Sequence, residues 1–229
     1  MSDKRVLFIT GASTGIGEAT ARAAVADGWR VALTARSADK LQALAQDLGS
    51  DNALAIGMDV QSYDAQWSAV AKTIDRFGRI DAVFANAGRG GVPGGYSEGD
   101  PDAWRDMILT NVYGLAVTLR ATLAELKRTR GHLVITSSIA GRRHVDGSVY
   151  GATKWAASAI GYNVRGELRG TGVRVTTLEP GMVDTPFFED PKPDALRPEN
   201  VADAVLFALG QPASVTIDEV TVLPTPKDA

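Results

Sequence analysis

Seven short, mainly apolar runs recur along the chain, and nothing else in the sequence limits its fold as strongly. They are Val6–Ile9, Val31–Leu33, Ala53–Ile56, Ala82–Ala85, Leu133–Ile135, Val173–Leu178 and Val220–Leu223. They lack regular polar alternation, the mark of strands buried on both faces. Between them lie stretches with apolar residues three and four apart, at Ile16–Ala26, Leu41–Leu48, Trp67–Phe77 and Trp104–Leu126, the spacing of an amphipathic helix. Asp100-Pro101 reads as an N-cap followed by a first-turn proline for the long fourth helix. Strands alternating with helices require crossover connections, because short loops cannot join parallel neighbours. The expected fold is therefore α/β: a doubly wound, mostly parallel seven-stranded sheet flanked by helices, as a single domain over residues 1–229.

Composition narrows the function classes. A chain of 229 residues with 45% hydrophobic and 22% charged residues and a net charge of −3 can bury a large core, which excludes wholesale disorder. With no cysteine, disulfide scaffolds and Cys-ligated metal sites are excluded, and no metal site is expected. Acids outnumber bases, 27 to 24, against the basic excess of a nucleic-acid binder. Met1-Ser2-Asp3-Lys4-Arg5 leads straight into the first apolar run, leaving no room for a signal-peptide core. No unbroken apolar run approaches the ~18 residues of a membrane span. The expectation is a cytoplasmic protein without membrane or nucleic-acid partners.

Two loop-like patches, Gly88–Gly99 and Pro180–Pro198, follow predicted strands, where ligands of open α/β sheets bind. A glycine-rich turn, Thr10-Gly11-Ala12-Ser13-Thr14-Gly15-Ile16-Gly17, joins the first strand to the first helix. Glycines there allow a sharp turn and a close approach of backbone N–H groups to a pyrophosphate, beside the positive end of the helix. The spacing is neither G-x-G-x-x-G nor a P-loop, but its place in a strand–helix–strand unit favours a dinucleotide. Folds that bind NAD put an acid about 20 residues on, to hold the ribose 2′-hydroxyl. Here Ala35-Arg36 occupies that place. Arg36 is either a solvated strand-end residue or a ligand for a 2′-phosphate; the reading adopted is NADP, with NAD as the alternative.

These features resemble the short-chain dehydrogenase/reductase family through nearly the whole chain. The turn has the form T-G-x-x-x-G-I-G, and Asp59-Val60 is similar to the family's adenine-side element. Asn86-Ala87-Gly88 resembles its N-A-G, and Asn111 falls where the family keeps a helix-four asparagine. Ser138 lies in Ser137-Ser138-Ile139-Ala140-Gly141, similar to S-S-x-A-G, and Tyr150 to Lys154 matches Y-x-x-x-K. Pro180-Gly181-Met182-Val183-Asp184-Thr185 resembles P-G-x-V-x-T. Each motif is weak alone, since a lone Tyr-x-x-x-Lys is usually an ordinary helix pair; together and in order they are specific. The resemblance implies catalysis by Asn111, Ser138, Tyr150 and Lys154. It implies cofactor contacts from Gly11, Ser13, Thr14, Gly15, Ile16, Gly17, Arg36, Asp59, Val60, Asn86, Ala87, Gly88, Tyr150, Lys154, Pro180, Gly181, Val183 and Thr185. It also implies a homodimer or homotetramer acting on a small carbonyl or alcohol substrate.

The chemistry can be argued from the residues themselves. Tyr150 and Lys154 are four apart, on one helix face. A phenol titrates near ~10, and an adjacent ammonium is expected to lower that value toward working pH. A serine hydroxyl can hold a carbonyl oxygen as charge develops on it. The sequence departs from the family pattern in several places. Ser138 and Tyr150 are 12 apart, one fewer than the commoner interval, and Thr14 stands where NADP-preferring members carry a base. The segment after Thr185 is short, so an open site is expected, with Phe187, Phe188, Met182 and Val145 as either its lining or core filling. Arg142, Arg143 and His144 are either a surface cluster or partners for a substrate carboxylate, and the C-terminal stretch resembles members acting on 3-hydroxy acids and serine. The leading expectation is an NADP(H)-dependent carbonyl reductase or alcohol dehydrogenase. The rivals are a non-catalytic dinucleotide-binding redox sensor and a sugar-nucleotide epimerase or dehydratase.

Overall fold

The computed structural model describes residues 4–188 and 190–225; Met1–Asp3, part of the N-terminal reading above, lie outside them. Strands β1 (Val6–Thr10), β2 (Arg30–Ala35), β3 (Ala53–Gly57), β4 (Ala82–Ala85), β5 (His132–Thr136), β6 (Arg174–Pro180) and β7 (Glu219–Val222) form one sheet. Its order is β3-β2-β1-β4-β5-β6-β7, and every pairing is parallel. Helices α1 (Gly15–Ala26), α2 (Ala38–Leu48) and α8 (Pro198–Leu209) cover one face. Helices α3 (Tyr63–Phe77), α6 (Gly114–Thr129) and α7 (Val149–Glu167) cover the other. The alternation hidden in the apolar runs is now visible: Leu7 and Ile9 enter the first layer, Phe8 the second. Burial on both faces is why these strands look uniformly apolar.

Three features differ from expectation. β7 starts one residue earlier, at Glu219, and is half-exposed, as an edge strand with neighbours on one side only. The Gly88–Gly99 loop contains a helical turn, α4 (Gly95–Glu98). The long helix starts as expected, with the Asp100 side chain accepting from Asp102 N at 3.0 Å and Pro101 in the first turn. It runs as α5 (Pro101–Ile108), passes through a π-turn at Leu109–Tyr113 and continues as α6. Length and composition would let this helix, Pro101–Thr129, cross a membrane, with mean hydropathy 1.3, although 56% of its apolar window is buried inside the protein. Counting unbroken runs missed this because Thr110, Asn111, Gly114, Thr118, Arg120 and Thr122 interrupt the apolar residues.

After β1 the chain moves to β2 on one side, and later to β4 on the other. The carboxyl ends of β1 and β4 therefore flank the crevice where the winding direction reverses, the usual ligand position in such sheets.

Candidate active site

A cavity of about 670 Å³ occupies that crevice. Its floor depends on backbone that tolerates no side chain. Gly11 has φ +70°, and a Cβ on it would lie 2.9 Å from Ala87 Cα. A Cβ on Gly17 would run into the Gly11 carbonyl, so α1 packs on the turn only through glycine. The Thr10 hydroxyl accepts from Asn86 N and Ala87 N, both at 3.0 Å. The Asn86 amide donates to Thr10 O and Gly11 O at 3.2 and 3.3 Å, and accepts from Thr136 Oγ1 at 3.2 Å. Asn86 thus ties together the ends of β1, β4 and β5.

Most residues named from the sequence meet in this cavity. Gly11, Ser13, Thr14, Gly15 and Ile16 line it, with Arg36, Asp59, Val60, Asn86, Ala87 and Gly88. Ser138, Tyr150, Lys154, Pro180, Gly181, Val183 and Thr185 complete this set. Gly17 and Asn111 sit behind the wall. Asn111, in the π-turn and 3% exposed, accepts from Arg89 N at 2.7 Å and donates to Arg89 O and Thr153 Oγ1 at 3.1 and 3.0 Å. Its amide therefore clasps the peptide that follows Gly88. Sequence reasoning missed Ser37 and Lys40, which also line the cavity. The signal was available, because Lys40 stands in the first turn of the helix that begins just after Arg36, at the same end of the sheet.

The reactive groups lie at the carboxyl end of β5. Ser138 is extended (φ −172°, ψ 161°) and accepts from Ala140 N at 3.1 Å, starting a single 3₁₀ turn at Ile139–Gly141. Its hydroxyl donates to Pro180 O at 3.4 Å and is near enough to the Tyr150 phenol to act on its titration, so the shorter Ser138–Tyr150 interval still lets the two meet. Ser137 is spent elsewhere, donating to Lys154 O at 3.0 Å and sharing a 2.8 Å bond with Ser158. The Ser148 side chain caps α7 by accepting from Gly151 N at 2.9 Å. This places Tyr150 and Lys154 in its first two turns. Lys154, 5% exposed, donates to Thr136 O at 3.0 Å, with Nζ 5.7 Å from the Tyr150 ring centre.

The electrostatics differ from expectation. Burial pushes the Tyr150 phenol up to about 12, against the lowering effect of the Ser138 bond. Burial also pushes the Lys154 amine down to about 8. Burial penalises the charged form of each group, and at Tyr150 it is the Ser138 hydroxyl, not the amine, that opposes it. At neutral pH Tyr150 is a phenol, able to donate a proton.

Around this centre, Met182, Phe187 and Phe188 line the cavity, while Val145 is an exposed loop residue outside the lining. Arg142 turns inward to pair with Glu179 and Glu219, and His144 pairs with Asp146 at the surface. Neither these two nor Arg143 lines the cavity, because strand-borne carboxylates claim Arg142. The segment after Thr185 is short, and Phe187 on it and Met182 just before it are 40% and 50% exposed. Its base is pinned where Leu196 N donates to Met182 O at 2.9 Å and Asp184 N to Leu196 O at 2.8 Å.

The short chain dehydrogenase family model matches residues 5–195. An uncharacterized oxidoreductase of Staphylococcus haemolyticus is 40% identical over 227 residues, covering 96% of this chain and 97% of its own. Among solved structures, an alcohol dehydrogenase from the archaeon Thermococcus sibiricus, complexed with 5-hydroxy-NADP, superposes with TM-score 0.91 at 34% identity over 99% of both chains. Serine dehydrogenase from Escherichia coli superposes with TM-score 0.87 at 34% identity, over 96% of this chain and 97% of that one. The chain belongs to the short-chain dehydrogenase/reductase family and is an oxidoreductase of that class.

Proposed function

We propose that the protein is an NADP(H)-dependent carbonyl reductase or alcohol dehydrogenase in which Tyr150 exchanges the proton on the substrate oxygen. The observation that carries this reading is one continuous cavity with Ser138, Tyr150 and Lys154 at one end and Arg36 and Lys40 at the other.

The residues present fit the cofactor. Thr14 and Ser37, at the starts of α1 and α2, make no side-chain cap bond. First-turn N–H groups are thereby left for phosphate oxygens. The Gly11 turn would accept the pyrophosphate, Arg36 with Lys40 the 2′-phosphate, and Asp59 with Val60 the adenine side. NADP in the Thermococcus sibiricus relative's complex (as 5-hydroxy-NADP) supports this choice; NADH in a 25% identical reductase from Brucella melitensis keeps NAD as the alternative. When bound, the nicotinamide supplies or accepts the hydride. The chain does the rest. Ser138 donates to the substrate oxygen, and Tyr150 gives it a proton as the carbonyl becomes an alcohol. Lys154 steadies the resulting phenolate, and Asn111 fixes the loop beneath through Arg89. Because burial raises the phenol to about 12, reduction is favoured near neutrality, and oxidation gains as pH rises.

The same reading carries a cytoplasmic location and a homodimer or homotetramer, supported by exposed Tyr113, Trp155 and Tyr162 on the helical face. The test is Tyr150→Phe with saturating NADPH across ketones and aldehydes. Turnover should fall by about 10²–10⁴ while NADPH affinity stays within a few-fold; turnover near that of the parent removes Tyr150 from the mechanism.

A further inference from the structure

We propose that this site selects uncharged carbonyl compounds bearing an apolar, flat substituent, with Phe187 as a specificity-determining wall, and rejects substrates carrying a carboxylate. The inference rests on the reductase reading of the same site.

The first observation is the wall. Phe187 stands edge-on to Tyr150, with ring centres 5.7 Å apart and planes at 65°, and Phe188 stands edge-on to Phe187 at 5.2 Å. Across the opening, a Cβ on Gly90 would lie 3.0 Å from Phe187, so glycine is what lets the ring reach over the phenol. Phe187 remains 40% exposed, so part of its ring stays available to another flat apolar group.

The second observation is where the cations go. Arg142 is bound to Glu179 and Glu219, and Arg89, which does line the cavity, is paired with Asp106. Lys154 donates to Thr136 O. Lys192 sits over the Phe188 ring and does not line the cavity. Arg36 and Lys40 follow β2, three strand positions from β5, or about 14 Å at the usual strand spacing. Among the described lining residues, no uncommitted cation lies beside Tyr150. A substrate carboxylate set against the Tyr150 and Phe187 rings would exchange water for apolar surface and gain no ion-pair partner, which is unfavourable. Discrimination then follows from the ester meeting apolar rings where the acid meets no opposite charge.

The experiment compares ethyl acetoacetate with acetoacetate, and acetophenone with acetone, using NADPH at pH 7.5. The ester's kcat/KM should exceed the acid's at least 100-fold, and acetophenone should have at least a tenfold lower KM than acetone. Phe187→Arg should narrow the ester-to-acid ratio at least tenfold, and Phe187→Ala should abolish the acetophenone preference. A parent ratio below 100-fold overturns the selectivity, even if the variants do not fold. Folded variants that leave both preferences intact overturn the role of Phe187. Absence of any carbonyl reduction, with NADPH still bound, overturns the reductase reading and this inference with it.

Discussion

His132 makes the protein's stability depend on pH in a way that can be calculated. It begins β5 and is 1% exposed. Its Nε2 lies 2.8 Å from Thr176 Oγ1, and that hydroxyl donates to Ile217 O at 2.6 Å. Thr176 must therefore accept from His132, which fixes the Nε2–H tautomer and leaves a bare Nδ1 without a partner. Protonating Nδ1 would bury an unsatisfied charge near Arg174, and burial, aided by Arg174, lowers the imidazole from 6.5 to about 3. The unfolded chain binds a proton near 6.5 and the folded one does not. The contribution is therefore whole above pH 6.5 and is lost as pH falls toward 3. One proton taken up only by the unfolded chain costs about 2 kcal/mol between pH 7 and pH 5. Urea unfolding at both pH values, at fixed protein concentration, measures this directly. The parent should lose about 2 kcal/mol more than His132→Gln, with similar m-values. An equal loss in both proteins would refute the argument.

Two further outcomes follow from the charged residues. Arg36→Leu should raise the KM for NADPH at least tenfold while that for NADH changes little, and Lys40→Ala should shift the ratio in the same direction; unchanged ratios, read from initial rates at 340 nm, remove both as phosphate ligands. Arg142→Met strands the buried Glu179 carboxylate with Thr221 Oγ1 at 3.1 Å and should destabilise by about 3–5 kcal/mol. Adding Glu179→Gln should recover much of that loss in denaturant titrations, and no recovery would refute the pairing argument.

What was legible in the sequence is what local physics writes into it. Strands buried twice over leave apolar runs, so the sheet could be expected, and Tyr150 and Lys154 needed only helical period to share a face. Ser138 over Ser137 needed more, because both hydroxyls are buried and only their partners separate them. The π-turn around Asn111 leaves no compositional trace in Leu-Thr-Asn-Val-Tyr. Arg142 pairs with residues 37 and 77 positions away on β6 and β7, contacts that no local pattern encodes, so a free basic cluster was a fair reading and an incorrect one for Arg142. The direction of the Tyr150 shift was missed for a related reason. Sequence spacing gives the distance to the amine but not the burial of both groups, which sets the direction.

The cost of burying charge links proton transfer to substrate choice. The surroundings that raise the phenol and lower the amine also penalise a substrate carboxylate, because all three effects are the cost of taking charge out of water. Phe187 covers part of Tyr150, its ring centre 5.7 Å from the phenol's. A substitution that admits water beside Tyr150 should therefore move both properties together. In Phe187→Ser, the rising limb of alcohol oxidation should shift to lower pH, because a hydrated phenolate is less costly. Acids should also become better substrates relative to their esters. The pH dependence of kcat/KM for an alcohol, measured beside the ester-to-acid ratio, tests the link. If one moves without the other, the two penalties have separate origins and the single-cause account fails.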